Sequence, residues 1–396
     1  MRVPTHHQSQ RTLESLAQRQ SEQARLQSQL GTGLRLQSPG DDPVGAAQAE
    51  LARSRLARLE QDKRATQLST SLLNTAEGAL AQGVGLLQTA REALVAAGNG
   101  AYNAQDRASL AMQLRSVRSE LLILANSQDG AGGFLFAGQG STLPPLSGGS
   151  APSWNAPSGT QRIGEAGRYA AGVDGRAAFI ALPQGNGVFI PASDPANTGA
   201  AWVDPGGVSQ PAQLTGHHYR ITVSGAPGAF TYAVEDLDLG TTVATGVPLP
   251  EDGEVEVGGQ RVRIGGTPAA GDRFTLTPSG QQSIFDTLDD AIAALSTELS
   301  TPAYNEQLGR AQATLDGALD RMIVARSQIG EELRHVEQAA ASGEQQTLGV
   351  TQRRSDLEDL DYAAAISQMQ SNKTTLDAAL SAYAAIGRSS LFDFIR

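Results

Sequence analysis

The chain has 396 residues, enough for two or three domains, with 40% hydrophobic residues, 5% aromatic residues and 44 glycines. Its formal net charge of −11 argues against a nucleic-acid backbone or an anionic membrane as partner, since both need a basic face. The absence of cysteine excludes disulfides, thiolate metal sites and thiol nucleophiles.

The first residues, Met1-Arg2-Val3-Pro4-Thr5-His6-His7, contain no apolar core of a secretory signal. No stretch approaches the ~18 apolar residues of a membrane span. The expectation is a cytoplasmic protein, or one exported without a cleaved signal. Residues 8–30 are polar and Gln-rich, with Leu13, Leu16, Leu26 and Leu30 as the main apolar positions. A helix this polar is marginal alone, because most helical stability comes from packing an apolar face. Gly31, Gly33, Pro39 and Gly40 interrupt it. Asp42 followed by Pro43 then reads as an N-cap with proline in the first helical position.

The pattern predicts a long helix from Val44 to about Ala97. Its second half carries a heptad stripe, Leu73, Ala76, Leu80, Gly83, Leu87, Ala90 and Leu94, the seam pattern of a coiled coil. Ala76, Gly83 and Ala90 leave room for a partner helix. Gly98-Asn99-Gly100 reads as a C-terminal stop. A third helix, about 104–126, repeats the stripe with Leu110, Leu114, Val117, Leu121 and Leu124. The segment GGFLFAG, Gly132 to Gly138, reads as a short strand.

Composition changes at Ser141. From there to about Ser279 the chain is rich in Gly, Pro, Ser and Thr, with the short runs RAAFIA, NGVFI, HYRITVSG, FTYAVE, GEVEV, QRVRI and DRFTLT. Such spacing predicts an antiparallel β domain. The pairs Gly258-Gly259 and Gly265-Gly266 read as hairpin turns. Helical periodicity resumes near Ser283. Leu308, Ala311, Leu315, Ala318, Met322, Ala325, Ile329, Leu333, Val336 and Ala340 form a stripe with one stutter. A last helix, about 357–387, carries Leu360, Ile366, Met369, Leu376, Leu380 and Tyr383, and the chain closes on the apolar SLFDFIR.

The predicted class is therefore α+β: long antiparallel, coiled-coil-like helices from both termini, with an inserted, mostly antiparallel β domain. The expected divisions are 1–140, with 1–43 as an inner polymerising segment; 141–280, the β insertion; and 281–396, with 357–396 as the second polymerising segment. The stripes on 73–94, 110–124 and 308–340 are expected to pack within the chain. The ends have too few apolar residues for that, so neighbouring subunits are expected to bury them. The contact residues expected are Leu13, Leu16, Leu26, Leu30, Ile366, Met369, Leu376, Leu380, Tyr383, Leu391, Phe392 and Phe394. Coupled folding and assembly fits such segments, which are expected to fray in the free subunit.

A search for reaction chemistry finds little. No H-E-x-x-H, G-x-S-x-G elbow or P-loop occurs. Glu332 and His335 make a single E-x-x-H, where a di-metal bundle needs two and further carboxylates. His6-His7 and His217-His218 lack an evident carboxylate cluster in sequence. Asp41-Asp42 reads as helix capping rather than cation binding, and Glu358, Asp359 and Asp361 as complements to a helix dipole. No enzyme activity, cofactor or metal is expected.

Leu30 to Ala47, L-G-T-G-L-R-L-Q-S-P-G-D-D-P-V-G-A-A, resembles a segment near the start of the flagellin-like family of bacterial flagellar axial proteins. REALVAAGNG (91–100) and ANSQDGAGGFLFAG (125–138) resemble two further landmarks, and DLDYAAAISQMQ and LSAYAAIGRSSLFDFI resemble the family's C-terminal helix and closing cluster. GTPAAGDRFTLTP, Gly266 to Pro278, is similar to a segment of hook-associated proteins generally. His6-His7-Gln8-Ser9 and Gly31 depart from the family pattern. The resemblance implies a structural subunit at the junction of hook and filament, exported unfolded through the flagellar type III channel to the cell exterior. Its implied partners are copies of itself in a ring or helical layer, hook-associated protein 1 and flagellin as axial neighbours, and a cytoplasmic export chaperone. Alternatives are the filament flagellin itself and a surface adhesin or carbohydrate-binding protein using the β domain.

Overall fold

The computed structural model describes residues 5–130, 132–138, 143–147, 153–154, 161–163, 167–169, 173–296 and 302–393. The helices are α1 (Thr5–Thr32), α2 (Pro43–Ala97), α3 (Ala104–Ala125), α4 (Arg176–Phe179), α5 (Ile284–Ala294), α6 (Pro302–Glu358) and α7 (Tyr362–Asp393). The chain forms two compact units, Met1–Arg64 with Ala339–Arg396, and Ala65–Gln338. This division cuts α2 and α6 rather than following the shifts in composition. No described helix is long and apolar enough to cross a membrane.

In the unit Ala65–Gln338 the heptad stripes build one core. Leu73, Ala76, Leu80, Leu87, Ala90 and Leu94 of α2 are buried with Leu114, Val117, Leu121 and Leu124 of α3 and with Leu308, Ala311, Leu315, Ala318, Met322, Ile329 and Val336 of α6. Leu110, Ala325 and Leu333 pack partly buried against it. Side chains from α6 and α3 pack directly on Gly83, where a Cβ would lie 2.6 Å from the Met322 sulfur and 3.1 Å from a Leu124 methyl. Polar groups finish the helix ends. Tyr304, buried on α6, donates its hydroxyl to the Ala97 carbonyl at 2.6 Å, and the Gln312 amide donates to the Leu94 carbonyl at 3.1 Å. The first satisfies a carbonyl that the end of α2 would otherwise leave bare, and the second adds to the Gly98 N–H already on Leu94. Asn103 and Asp106 form a capping box on α3, as Ser283 and Asp286 do on α5.

Described strands lie between α3 and α5. The short pairs are β1 (Leu146–Ser147) with β2 (Ser153–Trp154), and β3 (Gln161–Ile163) with β4 (Gly167–Tyr169). Then come β5 (Leu182–Pro183), β6 (Phe189–Ser193), β7 (Ala200–Val203), β8 (Gly207–Val208), β9 (Tyr219–Ala226), β10 (Ala229–Asp236), β11 (Thr241–Pro248), β12 (Glu254–Val257), β13 (Gln260–Thr267), β14 (Arg273–Pro278) and β15 (Gln281–Gln282). One sheet has the order β11-β10-β9-β14-β6 and another β12-β13-β7, with β8 also on β13. Inward residues of both, including Phe189, Val203, Ile221, Val223, Val234, Val255, Val262, Ile264, Phe274 and Leu276, share one core. The arrangement is a β-sandwich.

Several details differ from the sequence reading. RAAFIA is not a strand: Arg176–Phe179 form a helical turn that buries Ala178 and Phe179. GGFLFAG is not a strand either. Gly130 and Gly132, at φ 79° and 93°, turn the chain back, and the segment makes only isolated bridges while burying Leu135 and Phe136. Gly258-Gly259 is the expected hairpin turn, with φ of 54° and 75°. Gly265-Gly266 is not a turn but lies within β13 opposite Trp202 and Ala201. The Trp202 indole fills the space a side chain at 265 would take, 2.7 Å from such a Cβ. The last helix begins at Tyr362, not near 357, because α6 runs on to Glu358.

Leu121→Ala should cost about 2–5 kcal/mol, as for other buried leucines, and lower the urea midpoint. A change below about 1 kcal/mol would mean that the shared helical core is loosely packed.

Candidate assembly surface

The unit formed by the chain ends is built differently. The loop Gly33–Asp42 lies between α1 and α2, and residues 359–361 lie between α6 and α7; their backbones are tied together. Arg35 N–H donates to the Glu358 carbonyl at 2.7 Å, Leu360 N–H donates to the Gly33 carbonyl at 2.9 Å, and Leu34 bridges Asp359. α1 arrives at this junction, α7 leaves it, and the two pack together as an antiparallel pair.

Side chains reinforce the knot. The Arg35 guanidinium donates to the Leu357 carbonyl at 2.7 Å, placing a cation at the C-terminus of α6, where the helix dipole favours one. The Gln29 amide donates to the Arg35 carbonyl at 2.7 Å. Buried Glu358 receives Arg53 at 2.7 Å and Arg354 at 3.8 Å. Gly33 has φ 73°, a left-handed backbone that requires glycine, and the Tyr362 hydroxyl sits over its bare Cα.

The paired aspartates have separate structural jobs. The Asp42 carboxylate accepts the Gly45 N–H at 2.9 Å, capping α2 just before Pro43. The Asp41 carboxylate accepts the N–H groups of Ser38 at 2.9 Å and Gln37 at 3.1 Å. Those two bonds, Ser38 first, hold its carboxyl below the usual aspartate range. Asp361 caps α7 through the Ala364 N–H, whereas Glu358 ends α6 and does not head the last helix. A cleft of about 410 Å³ beside the loop is lined by Leu36, Pro39, Ala46, Ala49, Arg53 and Glu358, among others.

Among the residues expected to make contacts, Leu16 and Leu26 are already buried within the chain. Leu30, Met369 and Leu376 are half-buried. Leu13, Ile366 and Leu380 are 49%, 43% and 43% exposed. Tyr383, Leu391 and Phe392 lie on α7 with side chains outside the description, and Phe394 lies outside the described residues. Val44, Leu51, Leu348 and Tyr362 are further exposed apolar residues of this unit that the sequence reading did not single out. They fall outside its sparse leucine pattern, and exposure cannot be read from residue type. Gln23 on α1 and Asn372 on α7 each keep one buried amide atom without a hydrogen-bond partner. The pair thus buries amide groups where the helices of the central core bury leucines.

Elsewhere, Glu332 and His335 lie on α6, with His335 exposed and 3.9 Å from Glu331. The structure does join His217 and His218 to carboxylates, those of Asp236 and Asp238 on the far side of the β9–β10 hairpin. Sequence reading missed this because the partners lie 19 and 20 residues away. Burial opposes ionisation of Asp236, but hydrogen bonds from the His217 ring and the Leu239 and Asp238 N–H groups hold its carboxyl below the usual range.

Residues 3–141 match the bacterial flagellin N-terminal helical region, and residues 313–395 match the bacterial flagellin C-terminal helical region. The chain belongs to the flagellin-like family of flagellar axial proteins. Flagellar hook-associated protein 3 of Escherichia coli K12 is 26% identical over 99% of both chains. The crystal structure of flagellar hook associated protein-3 from Legionella pneumophila superposes with a TM-score of 0.73 at 26% identity, covering 78% of this chain and 98% of that one. Flagellin of Bacillus subtilis is 36% identical, but over 30% of this chain and 38% of its own.

The lowered Asp41 value fixes the sign of a pH effect. Its contribution is complete above the unfolded value near ~3.9 and is lost as pH falls through the lower folded value. Asp41→Asn should therefore lower the Tm of the terminal unit more at about pH 6 than at about pH 2. An equal loss at both values would assign the effect to packing.

Proposed function

We propose that this chain is a structural subunit of the bacterial flagellum that joins hook to filament. It is not an enzyme. The observation that carries this reading is the extent of the likeness. The match to hook-associated protein 3 runs through both helical ends and the β insertion, whereas the match to flagellin spans less than a third of the chain. A filament flagellin is therefore the weaker reading.

In this role the α1–α7 unit supplies polymer contacts. Its neighbours along the axis are hook-associated protein 1 on one side and flagellin on the other, with copies of itself in the same layer. A layer whose upper and lower neighbours differ needs a heterologous interface, which closes as a ring or winds as a helix. Leu13, Ile366 and Leu380, exposed in the single chain, are suited to burial there, and the apolar sequence of Leu391, Phe392 and Phe394 suits them to the same role. The chain reaches the cell exterior through the flagellar export channel, carried to it by a chaperone, and it contains no cysteine that would cross-link in transit.

Deleting the gene should leave bare hooks by electron microscopy, with monomeric flagellin lost to the medium. Bare hooks without released flagellin would make this chain the filament protein, and normal filaments would favour a surface-binding role for the β domain. Replacing Leu391, Phe392 and Phe394 with alanine should abolish assembly while the helical circular dichroism of the core persists. Loss of the whole helical signal would contradict the division of labour between core and ends.

A further inference from the structure

The β9–β10 hairpin ends in a cluster that the junction role does not use. Where β9 begins and β10 ends, two histidines face two aspartates. His217 Nδ1 lies 2.7 Å from Asp236 Oδ2. His218 Nδ1 lies 3.1 and 3.2 Å from the two Asp238 carboxylate oxygens. One ligand atom from each of His217, Asp236 and Asp238 lies within 4.8 Å of the others.

The cluster is preorganised. Asp236 is 3% exposed, and its Oδ1 accepts the N–H groups of Asp238 and Leu239, both at 3.0 Å, which leaves Oδ2 aimed at His217. Leu237 N–H donates to the His218 carbonyl at 2.8 Å, fixing the histidine segment against the turn after β10. Backbone donors that hold a ligating carboxylate in this way are the usual supporting shell of a metal site. The side chains of His217 and Asp238 are 31% and 44% exposed, so an ion has a path in.

We propose that His217, Asp236 and Asp238 form a binding site for a divalent transition-metal ion of the zinc type, with His218 at its edge and water completing the coordination. One imidazole and two carboxylates form a mixed nitrogen–oxygen set. That set suits zinc, nickel or copper better than magnesium or calcium, which favour oxygen alone. Zinc bonds of about 2.0–2.2 Å set neighbouring ligand atoms roughly 3 Å apart. The 2.7 Å His217–Asp236 contact therefore needs to open by well under ~1 Å. The proton shared in that contact moves to Nε2, which frees Nδ1 for the metal with no net change in protons on a neutral ring. The bound ion would staple the segment before β9 to the turn after β10.

The chain has five histidines, so replacing His6, His7 and His335 with glutamine leaves His217 and His218 alone. That untagged full-length variant is titrated with zinc chloride by calorimetry, with and without His217→Gln or Asp238→Asn. Asp238 is exposed, so its variant keeps the fold if His217→Gln does not; circular dichroism checks both. The expected result is one zinc per chain, binding weakened at least 10-fold by either substitution, and no displacement by excess magnesium. Undetectable binding at micromolar zinc, or binding unchanged in Asp238→Asn, would overturn the proposal and leave two ordinary His–Asp hydrogen-bonded pairs.

Discussion

The interlocking of side chains from three helices, with Met322 and Leu124 seated on the bare backbone of Gly83, is the constraint on which the central unit depends. Leucines of α2 alternate with Ala76, Gly83 and Ala90, and the small positions receive side chains from α3 and α6; a methyl group at 83 would displace the buried Met322 and crowd Leu124. Interdigitated packing of this kind is close to the density of a protein interior and gives each leucine many dispersion contacts. The same core anchors the ends of the insertion. α3 enters it and α5 leaves it, and the two are held side by side by Arg118 and Asp289 at 2.7 Å, with Arg118 over the Phe285 ring. Entry and exit thus meet on one helical platform, and the β-sandwich, with its own core, is tied to α6 of the same unit: the Glu306 carboxylate accepts the Ser193 N–H and Arg310 donates to the Pro191 carbonyl.

The unit of the two chain ends follows a different economy. Its α1–α7 pair buries few leucines and leaves amide atoms of Gln23 and Asn372 unpaired. What fixes it is the backbone knot between Gly33–Arg35 and Glu358–Leu360, supported by Arg35, Arg53 and Gln29. Hydrogen bonds can set geometry without adding much stability, because folding exchanges them for bonds to water. A pair that is positioned but weakly buried suits a surface completed by neighbouring subunits, as the proposed junction role requires.

Much of this was legible in the sequence where periodicity carries the information. The stripes of α2, α3 and α6 fall on the core because a heptad repeat leaves one face apolar, and DRFTLT, QRVRI and HYRITVSG become strands because alternation leaves one face of a sheet apolar. Asp42-Pro43 was legible as a cap because capping is local. The rest fails for identifiable reasons. AAWV in β7 lacks polar alternation, and TTVATGVP in β11 is a largely exposed edge strand with no apolar face to reveal it. RAAFIA has strand-like residues but buries them from a helical turn. Gly265-Gly266 makes room for Trp202, a need that only the register exposes. The knot joins residues more than 300 positions apart, and the His–Asp cluster joins residues about 20 apart across a hairpin. Neither leaves a trace in local spacing.

The central claim is that one chain carries a self-sufficient core and a pair of ends that awaits completion. Hydrogen–deuterium exchange by mass spectrometry, on the free subunit and on subunits assembled into the flagellum, tests it most directly. The account predicts slow exchange for the α2, α3 and α6 stripes in both states. It predicts fast exchange for α1 and α7 in the free subunit, slowing by orders of magnitude on assembly. Equal protection of α1, α7 and the central stripes in the free subunit would contradict it.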